Sequence, residues 1–300
     1  MHLLKISDLT KDEIHGLLER ALLLKKRLKR GIAHAPLRGK VLALVFEKSS
    51  TRTRVSFEAA MSHLGGSSIF ISQKDSQLGR GEPVKDTARV LSGYADAIVV
   101  RTFGHDIIEE YAKYSRVPVL NGLTDSHHPC QVLADMLTVV EKKGSYAGIT
   151  ACWIGDGNNM ANSWIEAAGI LGFELRLACP EGYLPDDGIL KKAVSAGAKV
   201  FISKNIDDAA IGADVLSTDV WTSMGQEAGE EKRKKAFKGY QINARTLKLA
   251  KKDAMVLHCL PAHRGEEITE DALEGPNSAV WEQAENRLHI QKAILERFIA

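Results

Sequence analysis

The stretch Val41-Leu42-Ala43-Leu44-Val45-Phe46, followed by Glu47-Lys48 and then Ser49-Ser50-Thr51-Arg52-Thr53-Arg54, decides the fold. An unbroken apolar run of this length is short for a helix and suits a strand buried on both faces, as in parallel sheets. An apolar helical pattern starts at Val55, so hydroxyls and two arginines gather where strand passes into helix. The N-terminus of a helix offers unpaired backbone N–H groups and the positive end of the dipole, and arginine adds donors that match phosphate oxygens. An ordinary Ser/Thr cap would use one hydroxyl. The remainder exceeds what a cap needs and points to a bound phosphate.

Outward from this stretch the same alternation repeats. Further strands are expected at 68–72, 97–101, 117–120, 150–155, 174–179, 199–203, 214–218 and 255–260, with helical patterns between them. Strand–helix alternation is the signature of α/β architecture, here as two doubly wound parallel-sheet domains. Residues 129–143 carry one apolar stripe (Val132, Leu133, Met136, Leu137, Val140) and stop at Gly144, which makes them the bridge between two halves. The expected domains are 1–135, with residues 284–300 packing back on it, and 136–283. Residues 225–235, rich in Glu, Lys, Arg and Gly, read as a mobile surface insertion and a lid.

Composition narrows the function. The 300 residues hold 40 Lys and Arg against 38 Asp and Glu, a net charge of +2, with 6% aromatics, which argues against a nucleic-acid surface. Apolar runs fall far short of the ~18 residues of a membrane span, and no secretory pattern opens the chain, so a cytoplasmic location is expected. Cys130, Cys152, Cys179 and Cys259 are too scattered for a zinc or redox motif and fit reduced thiols. Gly155 and Gly157 suggest a dinucleotide loop, but Met160 stands where the third small residue is needed and no acid ends the next strand. No GxxxxGK[ST] loop occurs.

Other polar groups fall at predicted strand ends, where open α/β sheets bind ligands. Arg101 ends one strand and can join Arg52 around a phosphate. His128 and Gln131, in His127-His128-Pro129-Cys130-Gln131, share a side of the bridging helix's first turn, so that a ring N–H and an amide N–H could both reach a carbonyl oxygen. The second half brings Asn158-Asn159, Asp219, Ser223-Met224-Gly225 and His258-Cys259-Leu260-Pro261. An acid, amides and hydroxyls without a cationic cluster suit a ligand carrying an amine as well as a carboxylate. Taken singly, Asn159 also reads as a helix cap, Asp219 as a turn residue and Cys259 as a small buried apolar group.

Together, Ser50-Thr51-Arg52-Thr53-Arg54, His128-Pro129-Cys130-Gln131, Asp219 with Ser223-Met224-Gly225, and His258-Cys259-Leu260-Pro261 resemble the aspartate/ornithine carbamoyltransferase family, on its ornithine side, from about Leu3 to Phe298. The resemblance implies a carbamoyl phosphate domain and an ornithine domain joined by two interdomain helices. It also implies a homotrimer or a multiple of it, and no metal or organic cofactor. Ser50, Thr51, Arg52, Thr53, Arg101, His128 and Gln131 would hold carbamoyl phosphate, and Gln77 would serve a neighbouring subunit. Asn159, Asp219, Ser223, Met224, Cys259, Leu260 and Arg287 would hold L-ornithine, with Arg101, His128, Asp219 and Cys259 catalytic. The expected reaction carries the carbamoyl group to the δ-amine of ornithine, giving citrulline. Putrescine, aspartate or an acylated ornithine as acceptor, and a non-catalytic binding protein, are the alternatives.

Overall fold

The computed structural model describes residues 1–73, 77–222 and 229–300, the side chains of Leu78 and Arg80 excepted. The chain divides into two compact units, 1–137 with 285–300, and 138–284. The first contains α1 (Lys11–Lys29), β1 (Val41–Phe46), α2 (Thr51–His63), β2 (Ser67–Ser72), α3 (Val84–Leu91), β3 (Ala97–Arg101), α4 (His105–Tyr114) and β4 (Val119–Leu123). One boundary falls within α5 (Pro129–Lys143). The second unit holds β5 (Thr150–Ile154), α6 (Asn159–Leu171), β6 (Glu174–Ala178), α7 (Asp187–Ser195), β7 (Val200–Ser203) and α8 (Ile206–Ala210). It continues with β8 (Val215–Thr218), α9 (Glu230–Ala236), α10 (Ala244–Leu249), β9 (Met255–His258) and α11 (Glu270–Glu274). The other boundary falls within α12 (Val280–Ile299).

Both sheets are parallel, so both faces need covering, and the central strands β1 and β3 of the first sheet are almost wholly apolar and buried, while the edge strand β2 carries Ser67, Ser68 and Ser72. Successive side chains of a strand point to opposite faces. Ala43 and Val45 therefore share one face, with Ile98, Val100, Ile108 and Tyr111 in the same core cluster, while Leu42 and Leu44, also buried, serve the other. Each fully buried Val or Leu contributes about 1.5–3 kcal/mol. In the second unit Trp153, Trp164 and Phe173 are buried, the last two edge to face at 5.9 Å, and the Trp153 indole N–H donates to the Asp156 carbonyl at 2.8 Å.

Strand order positions the sites. The first sheet runs β2-β1-β3-β4 and the second β7-β6-β5-β8-β9. In each, the chain works outward on one side of a central strand and then restarts on the other. Ligands of open α/β sheets bind beyond the carboxyl ends of the strands where the order reverses. Those strands are β1 and β3 in one unit, β5 and β8 in the other.

Residues 225–228 of the expected insertion lie outside the described residues, and residues 230–235 belong to α9 instead of an irregular insertion. Arg233, half-way along α9, is buried and holds the helix in place. Its position inside a run of charged residues concealed that anchoring role from a reading by composition.

Candidate active site

At the first reversal, Phe46 is the register partner of Arg101, so the loop after β1 and the end of β3 lie side by side. Ser50 is the N-cap of α2, its hydroxyl accepting from the Thr53 N–H at 3.2 Å. The helix thus begins at Thr51 rather than at Val55, and Thr51, Arg52 and Thr53 occupy the first turn, whose N–H groups have no partner within the helix. Arg52 is half-buried, and Arg101 and Thr53 are buried. A cavity of about 640 Å³ opens here, lined by Lys48, Ser49, Ser50, Thr51, Arg54 and neighbouring residues of β1 and β2. Lys48, which sequence reasoning missed, is buried, paired with Asp125 and 4.2 Å from the centre of the Phe103 ring.

His128 and Gln131, at the start of α5, belong to the same unit and are buried. Burial, with the guanidinium groups of Arg287 and Arg101 near it, holds the His128 imidazole well below its usual range. At pH 7 it is therefore neutral, carrying one N–H donor. Gln131 donates its Nε2 to Asp135 at 2.9 Å and keeps an acceptor, Oε1, without a hydrogen-bond partner among the described residues. Arg287 donates from Nη2 to the Thr53 hydroxyl at 2.6 Å across 234 residues of sequence. Arg287 belongs to the same unit as Thr53, Arg101 and His128, whereas Asp219 belongs to the other unit. Gln77 is exposed in a short 3₁₀ turn of this unit.

At the second reversal, Thr218 pairs in register with Ile154 on one side and His258 on the other, and its hydroxyl donates to the Ile154 carbonyl at 2.6 Å. The residues that follow these three strand ends are consequently adjacent. Asp219 is buried; its Oδ1 accepts from the Val220 N–H at 2.8 Å and from the Cys259 thiol at 3.0 Å. Its Oδ2 accepts from Asn158 Nδ2 at 2.8 Å. Asn158 also caps α6, so the capping and Asp219-binding amide is Asn158, while the expected Asn159 is the first helical residue and half-buried. Gly157, dismissed as a nucleotide loop, has a different use. A Cβ there would lie 2.1 Å from the Pro185 nitrogen, and the Gly157 N–H donates to the Tyr183 carbonyl at 2.9 Å. Ser223 and Met224 lie outside the described residues.

Two further pairs, unforeseen from the sequence, brace this region. His258 Nδ1 accepts from the Leu260 N–H at 2.9 Å, which makes Nε2 the protonated nitrogen that donates to Glu267 at 2.9 Å. Leu260 has a positive φ of 59° and is followed by a cis peptide bond to Pro261. Asp219, His258 and Cys259 offer ligand atoms within 4.8 Å of one another, but both ring nitrogens of His258 are already engaged. The second pair is Asp156 with Arg233, both buried. Desolvation drives the Asp156 carboxyl up to about 6 despite the opposing pull of Arg233. Removing one member of such a pair typically costs about 3–5 kcal/mol, because the other charge is left buried alone.

Two open α/β units each gather polar side chains at their own strand-order reversal, the position where such sheets bind small molecules. The chain belongs to the aspartate/ornithine carbamoyltransferase family: residues 1–141 match its carbamoyl-P binding domain and residues 147–298 its Asp/Orn binding domain. It is 57% identical over 299 residues to the ornithine carbamoyltransferase of Desulfotalea psychrophila, with 99% of each chain covered. It is 56% identical to that of Geobacter sulfurreducens, covering 98% of this chain and 97% of the relative. Among solved structures, ornithine carbamoyltransferase from Pyrococcus furiosus matches with a TM-score of 0.95 at 50% identity, over 99% of this chain and 96% of that one. The expected family and the two-sheet α/β class are borne out.

Proposed function

We propose that the chain transfers the carbamoyl group of carbamoyl phosphate to the δ-amine of L-ornithine, forming L-citrulline and phosphate, in arginine biosynthesis or its reverse. The observation that carries the choice of amine is the Asp219 carboxylate. It is held by Asn158 and the Val220 N–H and hydrogen-bonded by the Cys259 thiol. A fixed anion beside a thiol is suited to a diamino acid. The names of the relatives support the same reading.

In this reading the phosphate sits on the first turn of α2, with Ser50, Thr51, Arg52 and Thr53, and Arg101 beside it. The δ-amine attacks as the neutral base, because an ammonium has no lone pair. Asp219, Cys259, Asn159, Ser223, Met224 and Leu260 bind ornithine so that this nitrogen is presented. Attack forms the C–N bond and moves the carbonyl electron pair onto oxygen, where Arg101, the neutral His128 N–H and the Thr53 hydroxyl stabilise it. Gln131 Oε1 accepts from the carbamoyl NH₂. As the carbonyl re-forms, the C–O bond to phosphate breaks, phosphate leaves with that electron pair, and the nitrogen passes one proton to the departing phosphate. Arg287 orients Thr53.

The same reading puts the enzyme in the cytoplasm as a homotrimer, with Gln77 serving a neighbouring copy. Burial pushes the Cys130 and Cys179 thiols up to about 12, and none of the four cysteines is in a disulfide, which suits a reducing compartment. Val55 and Ile69, apolar yet 55% and 52% exposed in the unit that carries Gln77, suit a covered subunit face. Light scattering should give three copies of the 32.8 kDa chain or a multiple. The deciding experiment offers carbamoyl phosphate with ornithine, putrescine, aspartate or an acylated ornithine and measures ureido product and phosphate. Ornithine is expected to give both in equal amounts, and a faster reaction with any of the other amines overturns the reading.

A further inference from the structure

Arg233 has no part in the chemistry above, yet its guanidinium is committed on every side. It pairs with Asp156, donates from Nε to the Trp221 carbonyl, and lies 4.7 Å from the Tyr183 ring centre and 5.2 Å from that of Phe237. Asp156 follows β5 and precedes Asn158 by two residues, and Trp221 follows Asp219 by two. The two loops that Asn158 and Asp219 join at 2.8 Å are therefore joined a second time, through one planar cation. The Trp221 indole N–H also donates to the Tyr240 carbonyl at 3.0 Å, so the chain on both sides of α9 is tied to the same place. Charge adds a reason for an arginine. Asp156 and Asp219 are close enough to repel, and the cation neutralises Asp156, which leaves Asp219 as the carboxylate available to an amine.

We propose that Arg233, acting through Asp156 and the Trp221 carbonyl, is a positioning residue that sets the Asn158–Asp219 geometry and with it the affinity for the amino-acid substrate. It touches no substrate. A lysine would keep the charge but could not serve the carboxylate and the carbonyl together with the same fixed fork. The inference rests on the proposed ornithine reading only for the identity of that substrate.

The test compares Arg233→Gln, Arg233→Lys, Asp156→Asn and the Arg233→Gln/Asp156→Asn double variant with the unaltered enzyme. Arg233→Gln should raise the ornithine KM at least about tenfold, leave kcat at saturating ornithine within about threefold, and leave the carbamoyl phosphate KM unchanged, as loss of binding shared by ground and transition states requires. Arg233→Lys should recover part of the affinity, and the double variant should be no worse than the poorer single one, because both act on one contact. If Arg233→Gln does not fold, Arg233→Lys and Asp156→Asn carry the comparison. An ornithine KM within twofold of the unaltered enzyme in a folded variant, equal rises in both KM values, or additive effects would overturn the proposal. Hydrogen exchange without substrate gives an independent reading: exchange at 219–222 and 229–237 should quicken in Arg233→Gln, and unchanged exchange discards the clamp. Should the unaltered enzyme fail to make citrulline, the ornithine reading falls while the exchange result still judges Arg233.

Discussion

The two strand-order reversals solve the same problem with opposite materials. Around β1 and β3 the groups are cationic or donors, and much of the cluster comes from the contiguous residues 50–53 at one helix terminus. Around β5, β8 and β9 the centre is a carboxylate, and its partners Asn158 and Cys259 come from 61 and 40 residues away. A phosphate needs density of N–H groups, which a helix start supplies cheaply from local sequence. An amine needs one anion held in one place, which only several strand ends together can provide. The first region is accordingly robust to small shifts of its parts, and the second is sensitive to them.

The largest effect expected from this contrast is on the cationic side. Arg101→Ala should lower kcat by about 10²–10³, the usual loss for one donor to a developing oxyanion. Steady-state citrulline formation measures it, and a rate near that of the unaltered enzyme would remove Arg101 from the chemistry. Asp219→Asn should lower kcat/KM for ornithine about 10²-fold, or about 2.7 kcal/mol, while the carbamoyl phosphate KM stays put. If both substrates suffered equally, the two regions would not be the separate devices described here.

The smallest effect concerns His128. Its folded-state value is lowered by burial and by Arg287 and Arg101, so below the ordinary value of 6.5 the unfolded chain takes up a proton that the native site refuses. Stability should therefore fall with acid from about pH 6.5 toward that lowered value, by at most about 1.4 kcal/mol per pH unit from this group. In His128→Gln the denaturation midpoint should decline less steeply over pH 6.5 to 5. An identical slope would mean that His128 is charged in the native site.

Much of the frame was legible. The strands 41–46 and 97–101 were read with the ends they have, because unbroken apolar runs between polar residues leave little choice of boundary. The α5 limits, 129–143, followed from one proline and one glycine. Strand order was not legible, since it depends on which side of the sheet each crossover packs. The choice between Asn158 and Asn159 turned on backbone angles at a helix start, with ψ of −166° at the cap, which two identical neighbours in sequence do not reveal. Arg233 was hidden among Glu230, Glu231, Lys232, Lys234 and Lys235, where charge suggests solvent and only tertiary packing selects one member for burial. Arg287 could be matched by resemblance, but its contact with Thr53 joins opposite ends of the chain.

That contact bears on how the molecule is made. A ribosome adding about 5–20 residues per second takes roughly 12–47 s to travel from Thr53 to Arg287. Throughout that interval the part of the protein born first lacks Ile290, Ile294 and Leu295, apolar side chains that end up buried in its own unit. The N-terminal unit therefore waits for residues 285–300, and a chain cut short before them yields a body with an open seam and an unsupported threonine.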